Sequence, residues 1–462
     1  MRSLFRKFIG RYRSVQILLM SFVFVIMIGT ILLSLPVFNK VEPLSLINNL
    51  FIATSATCVT GLMPVVTMDQ FNTGGQIVLL ILIQIGGLGL MSFIALIVVI
   101  SKQKLGMTNK KLLVDALNRF NSVDIGTFLT HIFKFTIIFE IIGALLLMIV
   151  LVPESNSISS GIFKSIFLSV SAFCNAGIDT VSSSSLVPYQ DSILVNAVVM
   201  ILIICGGIGF TIWFDIKDNL NSLISKKINF KHFWNKLLLH TKVVLVVTAF
   251  LLVSGTVLIF VIESFNPATL GSMSIPKRIM VSLFSSTTLR TAGFATIEFG
   301  TLTRATKTLM LIYMLIGGSP GGTAGGFKTT TIFIVVLFLR AQLKGLDQMK
   351  IYNKEIKKDA FKKSFTIITV YVISIFVSII ILSITESAAY LDIIFEVCSA
   401  IGTVGLSCGI TSSLTTIGKV IIILLMLMGR VGPVTIVLSF TNSIKNRKAN
   451  SVRYPKAELL VG

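Results

Sequence analysis

The sequence has little charge, and acidic residues are scarcer than basic ones. Only 13% of its 462 residues are charged, and 19 acidic residues stand against 40 basic ones. Soluble domains carry about 25% charged residues, so this chain lacks the polar surface that a water-soluble body needs. Together with a mean hydropathy of +0.92, this composition excludes an ordinary soluble protein and favours a polytopic membrane protein.

Residues that bind metals or perform acid–base chemistry are also scarce. The chain has three histidines, and its five cysteines form no CxxC pair. The cysteines lie in or beside apolar stretches, which is typical of small buried thiols rather than of metal ligands or disulfides. The long apolar segments hold no paired acid–base groups of the kind a membrane-embedded enzyme requires. We interpret Glu140, which falls in one of them, as part of a local polar network rather than a proton relay.

Long apolar segments indicate transmembrane helices. Eight of them lie at about 14–36, 75–101, 131–152, 191–215, 240–262, 305–340, 365–385 and 415–443. Each is long enough to cross about 30 Å of hydrocarbon as a helix, and the first is too long for the core of a signal peptide. Four shorter apolar pieces lie at about 46–58, 160–173, 275–289 and 391–401. They are too short to cross, so we expect re-entrant helices that enter the membrane and turn back.

Basic residues orient these segments. The connections 1–13, 102–134, 215–242, 340–363 and 443–462 hold 30 of the 40 Lys and Arg residues. The positive-inside rule then predicts that both termini are cytoplasmic and that the short helices enter from outside. The net charge of +21 therefore does not indicate nucleic-acid binding, because the basic residues connect membrane spans.

The order of span, short helix and span occurs four times, and each short helix is followed by a small, polar stretch with a glycine. These stretches are TCVTGL (57–62), FCNAGI (173–178), LRTAGF (289–294) and GTVGLS (402–407). Their glycines Gly61, Gly177, Gly293 and Gly405 are separated by 116, 116 and 112 residues. A second glycine cluster follows in each unit, and at 85–89 and 205–209 we interpret it as close helix packing. Such a period predicts four tandem structural repeats.

A loop that dips into the membrane leaves backbone carbonyls unpaired, which is tolerated only where protein or water surrounds it. Carbonyls aimed at one axis can replace the water shell of a dehydrating cation. Glycine allows the extended strand dihedral angles that a side chain forbids, and the C-termini of the short helices add partial negative charge. Four such loops around one axis would form a complete cation filter from a single chain.

This pattern of four units, each with one filter glycine, resembles the Trk/Ktr/HKT superfamily of potassium transporters over the whole chain. It looks most like the membrane subunit of bacterial Ktr potassium uptake systems. The resemblance implies an all-α integral membrane protein with four M1–P–M2 repeats, that is, eight transmembrane helices and four re-entrant pore helices in pseudo-fourfold arrangement around one pore. The corresponding repeats are 1–118, 119–228, 229–350 and 351–462.

The resemblance also implies a set of filter residues and K⁺ as the substrate bound by their carbonyls. The filter residues are Cys58, Val59, Thr60 and Gly61; Cys174, Asn175, Ala176 and Gly177; Arg290, Thr291, Ala292 and Gly293; and Gly402, Thr403, Val404 and Gly405. Family members with serine at the first glycine favour Na⁺, whereas this chain has Gly61. Each loop has one glycine where the TVGYG filter of potassium channels has two, so we expect looser selection. We expect the Arg290 side chain behind the filter, paired with a carboxylate or with carbonyls.

The stretch GGSPGGTAGGFKTTT, 317–331, invites comparison with a phosphate-binding loop. Phe327 separates Gly326 from the lysine that a Walker A loop needs directly after its glycine. The surrounding apolar run of 305–340 is longer than a membrane needs, and Pro320 with its neighbouring glycines cannot hold a regular helix. We therefore predict two half-helices, about 305–316 and 327–340, and a loop at membrane depth. Ligand binding by the amides of this loop is the minor alternative.

In the family the corresponding loop is the intramembrane gate. The predicted gate residues are Gly317, Gly318, Ser319, Pro320, Gly321, Gly322, Thr323, Ala324, Gly325, Gly326 and Lys328. Lys328 is either functional within the membrane or a lysine that reaches the cytoplasmic face, and the sequence does not decide between them. For Arg430 the resemblance implies a position just below the filter that tunes how cations leave it.

The sequence thus predicts a K⁺ uptake protein of the plasma membrane that is not an enzyme and has no covalent cofactor. The cytoplasmic connections are too short for a regulatory domain. The resemblance implies a homodimer on a separate cytoplasmic ring of RCK/KTN type that binds ATP or ADP, with Na⁺ as a candidate activating ion. Anionic lipid is the alternative partner of the basic connections. A Na⁺-selective or weakly selective cation pathway is the rival function, whereas a one-repeat channel subunit is excluded by the four repeats.

Overall fold

The computed structural model describes residues 14–89, 125–225, 230–346 and 348–432. The basic segments 1–13 and 443–462, most of 102–134, and the inner ends of the predicted spans 75–101 and 415–443 lie outside these residues. Within them the regular secondary structure is helical, apart from the hairpin of Met349–Ile351 (β1) and Lys354–Ile356 (β2). An all-α membrane protein is the result.

The helices follow one another in the predicted order. The first two units contain α1 (Ser14–Ser34), α2 (Leu46–Cys58), α3 (Thr73–Leu88), α4 (Ile125–Leu151), α5 (Ile158–Cys174), α6 (Ile193–Ile208) and α7 (Phe210–Ile224). The last two contain α8 (Phe230–Lys236), α9 (Leu239–Glu263), α10 (Ile275–Thr288), α11 (Arg304–Leu315), α12 (Thr329–Leu343), α13 (Lys358–Thr385), α14 (Tyr390–Gly402) and α15 (Thr416–Val431). The four predicted short helices are α2, α5, α10 and α14, and their bounds differ from prediction by at most two residues.

Four helices of the described residues are long and apolar enough to cross a membrane. They are parts or all of α1, α4, α9 and α13, the first helices of the four units. The pair α6 and α7 passes the same test only when it is taken together, and it is bent by 97°. The described parts of the remaining predicted spans are shorter because 75–101 and 415–443 extend beyond the described residues and 305–340 is broken.

The short helices are packed from both sides. Each packs against the long helix that precedes it in its own unit, as α1 does on α2 and α4 on α5. Each also packs against the later helix of another unit, in the pairs α3–α5, α6–α10, α11–α14 and α15–α2. The last pair returns to the first unit, so these contacts form a closed cycle.

The helix that follows each short helix begins with a side-chain cap. Asn72, Ser192, Thr303 and Thr415 each accept a hydrogen bond from the backbone N–H three residues later. This satisfies one of the N–H groups that a helix start leaves unpaired. In the third and fourth units a carboxylate adds to the cap, since Glu263 accepts from Thr303 N at 2.9 Å and Glu386 from Thr415 N at 3.0 Å.

Two of the predicted spans are interrupted. The span predicted at 191–215 ends at Ile208, because Gly209 has φ +102° and turns the chain into α7. We expected the glycines 205–209 to serve close packing. A Cβ on Gly206 would meet Phe173 O, whereas one on Gly207 would meet only side chains at 3.6 Å or more, and Gly209 breaks the helix. The span 305–340 divides into α11 and α12, whose bounds lie within three residues of the predicted half-helices.

Candidate functional site

Three of the four short helices end in the same backbone motif. After α2, α5 and α14 the chain enters the left-handed region at Val59, Asn175 and Thr403. In each case the next N–H returns to a serine carbonyl of the helix at 2.8 Å, as Thr60 N does to Ser55 O. This is a Schellman motif, and it turns the chain sharply from the helix into the segment that carries the predicted filter glycine. We call 58–61, 174–177, 290–293 and 402–405 filter loops 1 to 4.

Filter loop 3 ends its helix differently. Thr291 also has a positive φ of 63°, but the returning bond runs from Ala292 N to Thr288 O at 3.0 Å. Arg290 is 7% exposed. Among the described residues its Nη1 has no hydrogen-bond partner, and neither ion pair includes it. A carboxylate partner is therefore not found there, while pairing of the other guanidinium nitrogens with carbonyls and a position behind the filter stay predictions.

The four filter glycines meet in one place. A Cβ atom added to Gly61 would lie 2.6 Å from Ala176 O, and one on Gly177 would lie 2.6 Å from Ala292 O. One on Gly293 would lie 2.7 Å from Val404 O, and one on Gly405 would meet Thr60 O. Each glycine thus faces the carbonyl of the residue before the glycine in the next loop, and the fourth contact closes on the first loop. Four backbone carbonyls and four glycines form a ring in which no side chain fits.

A cavity of about 570 Å³ opens on one side of this ring. All four ring glycines line it, together with the carboxylates of Asp179 and Glu298. Among its described lining residues there is no lysine or arginine. Asp179 follows filter loop 2, outside the membrane-spanning helices, and burial raises the pKa of its carboxyl to about 6. This side of the ring therefore carries negative charge near neutral pH.

The glycine-rich loop between α11 and α12, residues 316–328, lies on the other side, and we call it the gate loop after its predicted role. Its two ends are joined by backbone hydrogen bonds, from Gly317 N to Phe327 O at 2.9 Å and from Phe327 N to Leu315 O at 3.0 Å. The Phe327 ring packs on Tyr371 of α13, with centroids 4.4 Å apart. The neck of the loop is thus fixed, while the tip extends beyond it.

The tip binds the broken end of α6. Ser319 N donates to Gly207 O at 2.9 Å and Thr323 N donates to Gly206 O at 3.1 Å. These carbonyls have no partner inside their helix, because the last turn of a helix leaves its C=O groups free. Phe210 N, at the start of α7, donates back to Gly321 O at 3.1 Å. The helix break at Gly209 therefore creates the seat of the loop.

Two cations hold the gate loop in place. Arg430 of α15 donates to Thr323 O and Gly86 O, and also to Gly87 O at 3.1 Å. It therefore links the gate loop to the C-terminal end of α3, where the helix dipole favours a positive charge. Lys328 Nζ donates to Ala324 O at 2.7 Å. Its amine thus bonds within the loop, which favours the functional interpretation over a lysine that reaches the cytoplasmic face.

One side-chain hydrogen bond joins the gate loop to the filter loops, and sequence reasoning missed it. Thr323 Oγ1 lies 2.9 Å from Asn175 Oδ1 and 3.1 Å from Phe173 O. Asn175 Nδ2 donates in turn to Arg290 O in filter loop 3, at 3.3 Å. Because Asn175 and Thr323 are 148 residues apart, no local pattern signals their contact. The structure thus brings together residues of all four filter loops, the gate loop and Arg430.

These features define a class of protein: an α-helical membrane protein in which four loops from one chain meet in a narrow ring of carbonyls. Comparison with known proteins agrees with this class. Residues 7–452 match the model of the TrkH family, described as cation transport protein. The chain belongs to this family, which is one of cation transporters and not of enzymes.

Curated relatives extend over the whole chain. It is 40% identical over 452 residues to the Ktr system potassium uptake protein B of Bacillus subtilis, covering 98% of this chain and 97% of the relative. It is 38% identical to the potassium/sodium uptake protein NtpJ of Enterococcus hirae, covering 98% of both. The Ktr system potassium uptake protein B of Vibrio alginolyticus is 33% identical and covers 97% of this chain.

A solved structure shares the fold. The crystal structure of the potassium transporter TrkH from Vibrio parahaemolyticus superposes with a TM-score of 0.68 over 86% of this chain and 79% of that one. The two sequences are 18% identical, so this likeness concerns the fold alone.

Proposed function

We propose that this protein takes up K⁺ across the plasma membrane through a filter formed by the four filter loops. The observation that carries the proposal is the closed ring in which each filter glycine faces the carbonyl of the next loop. Carbonyls around an axis can replace the water of a K⁺ ion, and the C-terminal ends of four pore helices add partial negative charge. The relatives named for potassium uptake support K⁺ as the substrate.

The direction of transport follows from charge and potential. The cavity with Asp179 and Glu298 is the outer entrance, and the side with Lys328 and Arg430 is the inner one. This orientation agrees with the positive-inside rule and with cytoplasmic termini. A negative potential inside then supplies about 2.3 kcal/mol per charge per 100 mV, which is enough to drive uptake without ATP hydrolysis.

We propose further that the gate loop closes this pathway below the ring. Its fixed neck and glycine-rich tip allow the tip to move while the ends stay in place. In the conformation described, the tip is bonded to α6 and to Arg430, so we assign it to the closed state. Opening requires that these bonds break, and a separate cytoplasmic nucleotide-binding ring, with the protein as a homodimer, is the proposed source of that work.

Na⁺ selectivity is the second candidate function. It is favoured by the name of one relative, a potassium/sodium uptake protein, and Na⁺ is also the candidate activating ion. The presence of Gly61 in place of serine favours K⁺, by the resemblance stated above. Competition experiments distinguish a Na⁺-selective from a K⁺-selective pathway, because the two would share the same architecture.

The test is growth and uptake in a bacterium that lacks its own K⁺ uptake systems. Expression of the chain should restore growth at low K⁺ and produce Rb⁺ uptake that excess K⁺ inhibits more strongly than excess Na⁺. Deletion of 318–325 should raise uptake in the absence of any regulatory partner. If a co-expressed regulator still gives no growth and no Rb⁺ uptake, the substrate assignment is wrong and the family fold alone remains.

A further inference from the structure

The side chain of Asn175 occupies the space between the gate loop and two filter loops. It is 1% exposed, and its backbone is held in the left-handed conformation by the motif that ends α5. Its carbonyl oxygen faces Thr323 of the gate loop at 2.9 Å and its amide nitrogen faces Arg290 O at 3.3 Å. The side-chain amide of Asn175 thus connects the gate loop to filter loop 3.

Every polar group of Thr323 has a partner while the loop is seated. Its hydroxyl carries a single proton, within reach of Asn175 Oδ1 at 2.9 Å and of Phe173 O at 3.1 Å, while its N–H is bonded to Gly206 O and its carbonyl to Arg430. The side chain is 0% exposed. When the tip leaves its seat, Asn175 Oδ1 therefore loses the Thr323 hydroxyl, and a buried amide oxygen without a partner is unfavourable unless the side chain finds another.

Filter loop 3 differs from the other loops in how its backbone is held. Loops 1, 2 and 4 are closed by the two bonds of the Schellman motif, whereas loop 3 is held by the bonds of Arg290 N to Thr287 O and of Ala292 N to Thr288 O. The bond from Asn175 to Arg290 O lies two residues before Ala292 O, which belongs to the ring. If Asn175 turns away to find a new acceptor or donor, the carbonyls of loop 3 lose a brace.

The other repeats offer no equivalent connection. The residues that correspond to Asn175 are Val59, Thr291 and Thr403. Val59 is apolar, and the hydroxyls of Thr291 and Thr403 have no hydrogen-bond partner in the described structure. A direct side-chain bond between filter and gate is therefore a property of the second repeat.

We infer that the filter and the gate are linked through the Asn175–Thr323 hydrogen bond, so that K⁺ bound in the filter and closure of the gate favour each other. The inference rests on the proposed function, because it assumes that the ring binds K⁺ and that the loop is a gate. Linkage of this kind is reciprocal. Loss of the bond must therefore both weaken K⁺ binding in the resting protein and ease the opening of the gate.

The experiment uses the purified full-length protein and Thr323→Val, which removes the hydroxyl at nearly constant volume. Bound K⁺ stabilises the folded protein, so the K⁺ concentration for half-maximal thermal stabilisation reports binding at equilibrium. We expect this concentration to rise about three-fold, and partner-free Rb⁺ uptake in proteoliposomes to rise about five-fold. Thr323→Ser, which keeps the hydroxyl, should restore both values.

Two further variants separate the link from a general effect on structure. Asn175→Val places in repeat 2 the residue that repeat 1 has at Val59. The double variant should show less than the sum of the two single effects, because both variants remove the Asn175–Thr323 bond; Asn175→Val also removes the bond to Arg290 O. Thr248→Val is the matched control: it removes a buried hydroxyl of α9 that has no partner and should leave both values unchanged.

The outcomes distinguish this inference from the proposed function. If wild type shows neither Rb⁺ uptake nor stabilisation by K⁺, the function is wrong and the linkage with it. If wild type transports but Thr323→Val has the K⁺ midpoint of wild type, or its effects add to those of Asn175→Val, the function stands and the linkage is wrong. If Thr323→Val does not fold, Asn175→Val with unchanged midpoint and uptake overturns the linkage alone.

Discussion

The ring and the gate loop lie next to each other but are built in opposite ways. In the ring all four repeats contribute the same parts, a left-handed turn, a carbonyl and a glycine, and each contacts the next. At the gate only the third repeat contributes a loop, while the second offers the end of α6, the fourth offers Arg430 and the first the end of α3. The ring is thus near-symmetric, whereas the surroundings of the gate loop are not.

This difference fits the functions proposed for the two regions. A dehydrated ion needs oxygens on all sides, so a filter requires that the four repeats stay alike. A gate needs two stable positions, which a single loop seated on elements of the other three repeats can provide. We therefore expect variants of the ring to act alike in every repeat, and variants of the gate to act differently according to the repeat that they change.

The largest effect is expected at the ring. Gly177→Ala adds a Cβ at a φ of +65° and 2.6 Å from Ala292 O, so the carbonyls of two loops must move. Rb⁺ uptake should fall about 100-fold or more, since a disturbed ring no longer replaces the water of the ion. Alanine at each of the other three ring glycines should have a similar effect.

The control for the ring variants is Gly345→Ala. Gly345 also has a positive φ, +64°, but a Cβ there meets no atom within 4 Å. It has the same backbone strain as the ring variants without the steric contact, and uptake should stay near that of wild type. Near-normal uptake in any ring variant would show that the four repeats are not equivalent at this level.

The next largest effect is expected at the contacts that hold the gate loop. Arg430→Gln removes a charged donor from Thr323 O and from the end of α3. A hydrogen bond to a charged group contributes about 1.5–3 kcal/mol, so the closed state should be destabilised and partner-free Rb⁺ uptake should rise about ten-fold. Arg340→Gln, at an exposed position of α12, is the matched control. Lower uptake in Arg430→Gln would mean that the arginine assists transport rather than closure.

A smaller effect is expected at the helix cap that the third and fourth repeats share. Glu263 is buried and accepts hydrogen bonds from Thr269 and Asn266 as well as from Thr303, whereas Glu386 is partly exposed and bonds to Thr385 and Thr415. Glu263→Gln should lower the free energy of unfolding by about 1–3 kcal/mol, and Glu386→Gln by less. Denaturation of the purified variants in detergent measures both, and equal losses would contradict the ranking.

The smallest effect is expected at the outer cavity. The pKa of Asp179 is raised to about 6 by burial, so its carboxylate is charged above pH 6 and neutral below it. Uptake at limiting K⁺ should therefore rise about two-fold between external pH 5 and pH 7, because the charge concentrates cations at the entrance. Asp179→Asn should show the low-pH rate at both values. If Asp179→Asn showed the same pH profile as wild type, the Asp179 carboxylate would not be the group that concentrates cations at the entrance.

The near-symmetric ring was predictable from the sequence, whereas most contacts of the gate loop were not. The short helices and ring glycines repeat at an almost constant period, and six glycines with Pro320 mark the gate loop within the third repeat. Gly209 breaks α6, but a single glycine in an apolar run gives the same signal as close packing. The Asn175–Thr323 bond and the unpaired Arg290 nitrogen depend on tertiary packing between repeats, which no local pattern encodes.

The central claim is that the four loops form one cation filter, and Gly61→Ser tests it most directly. The measurement is inhibition of Rb⁺ uptake by K⁺ and by Na⁺ in cells that express wild type or Gly61→Ser. Like the alanine variants, Gly61→Ser should lose most of its Rb⁺ uptake. In the uptake that remains, the ratio of the Na⁺ to the K⁺ concentration for half inhibition should fall at least about ten-fold, since one carbonyl segment of the ring changes. An unchanged ratio, with uptake intact, would place selection elsewhere and contradict the account.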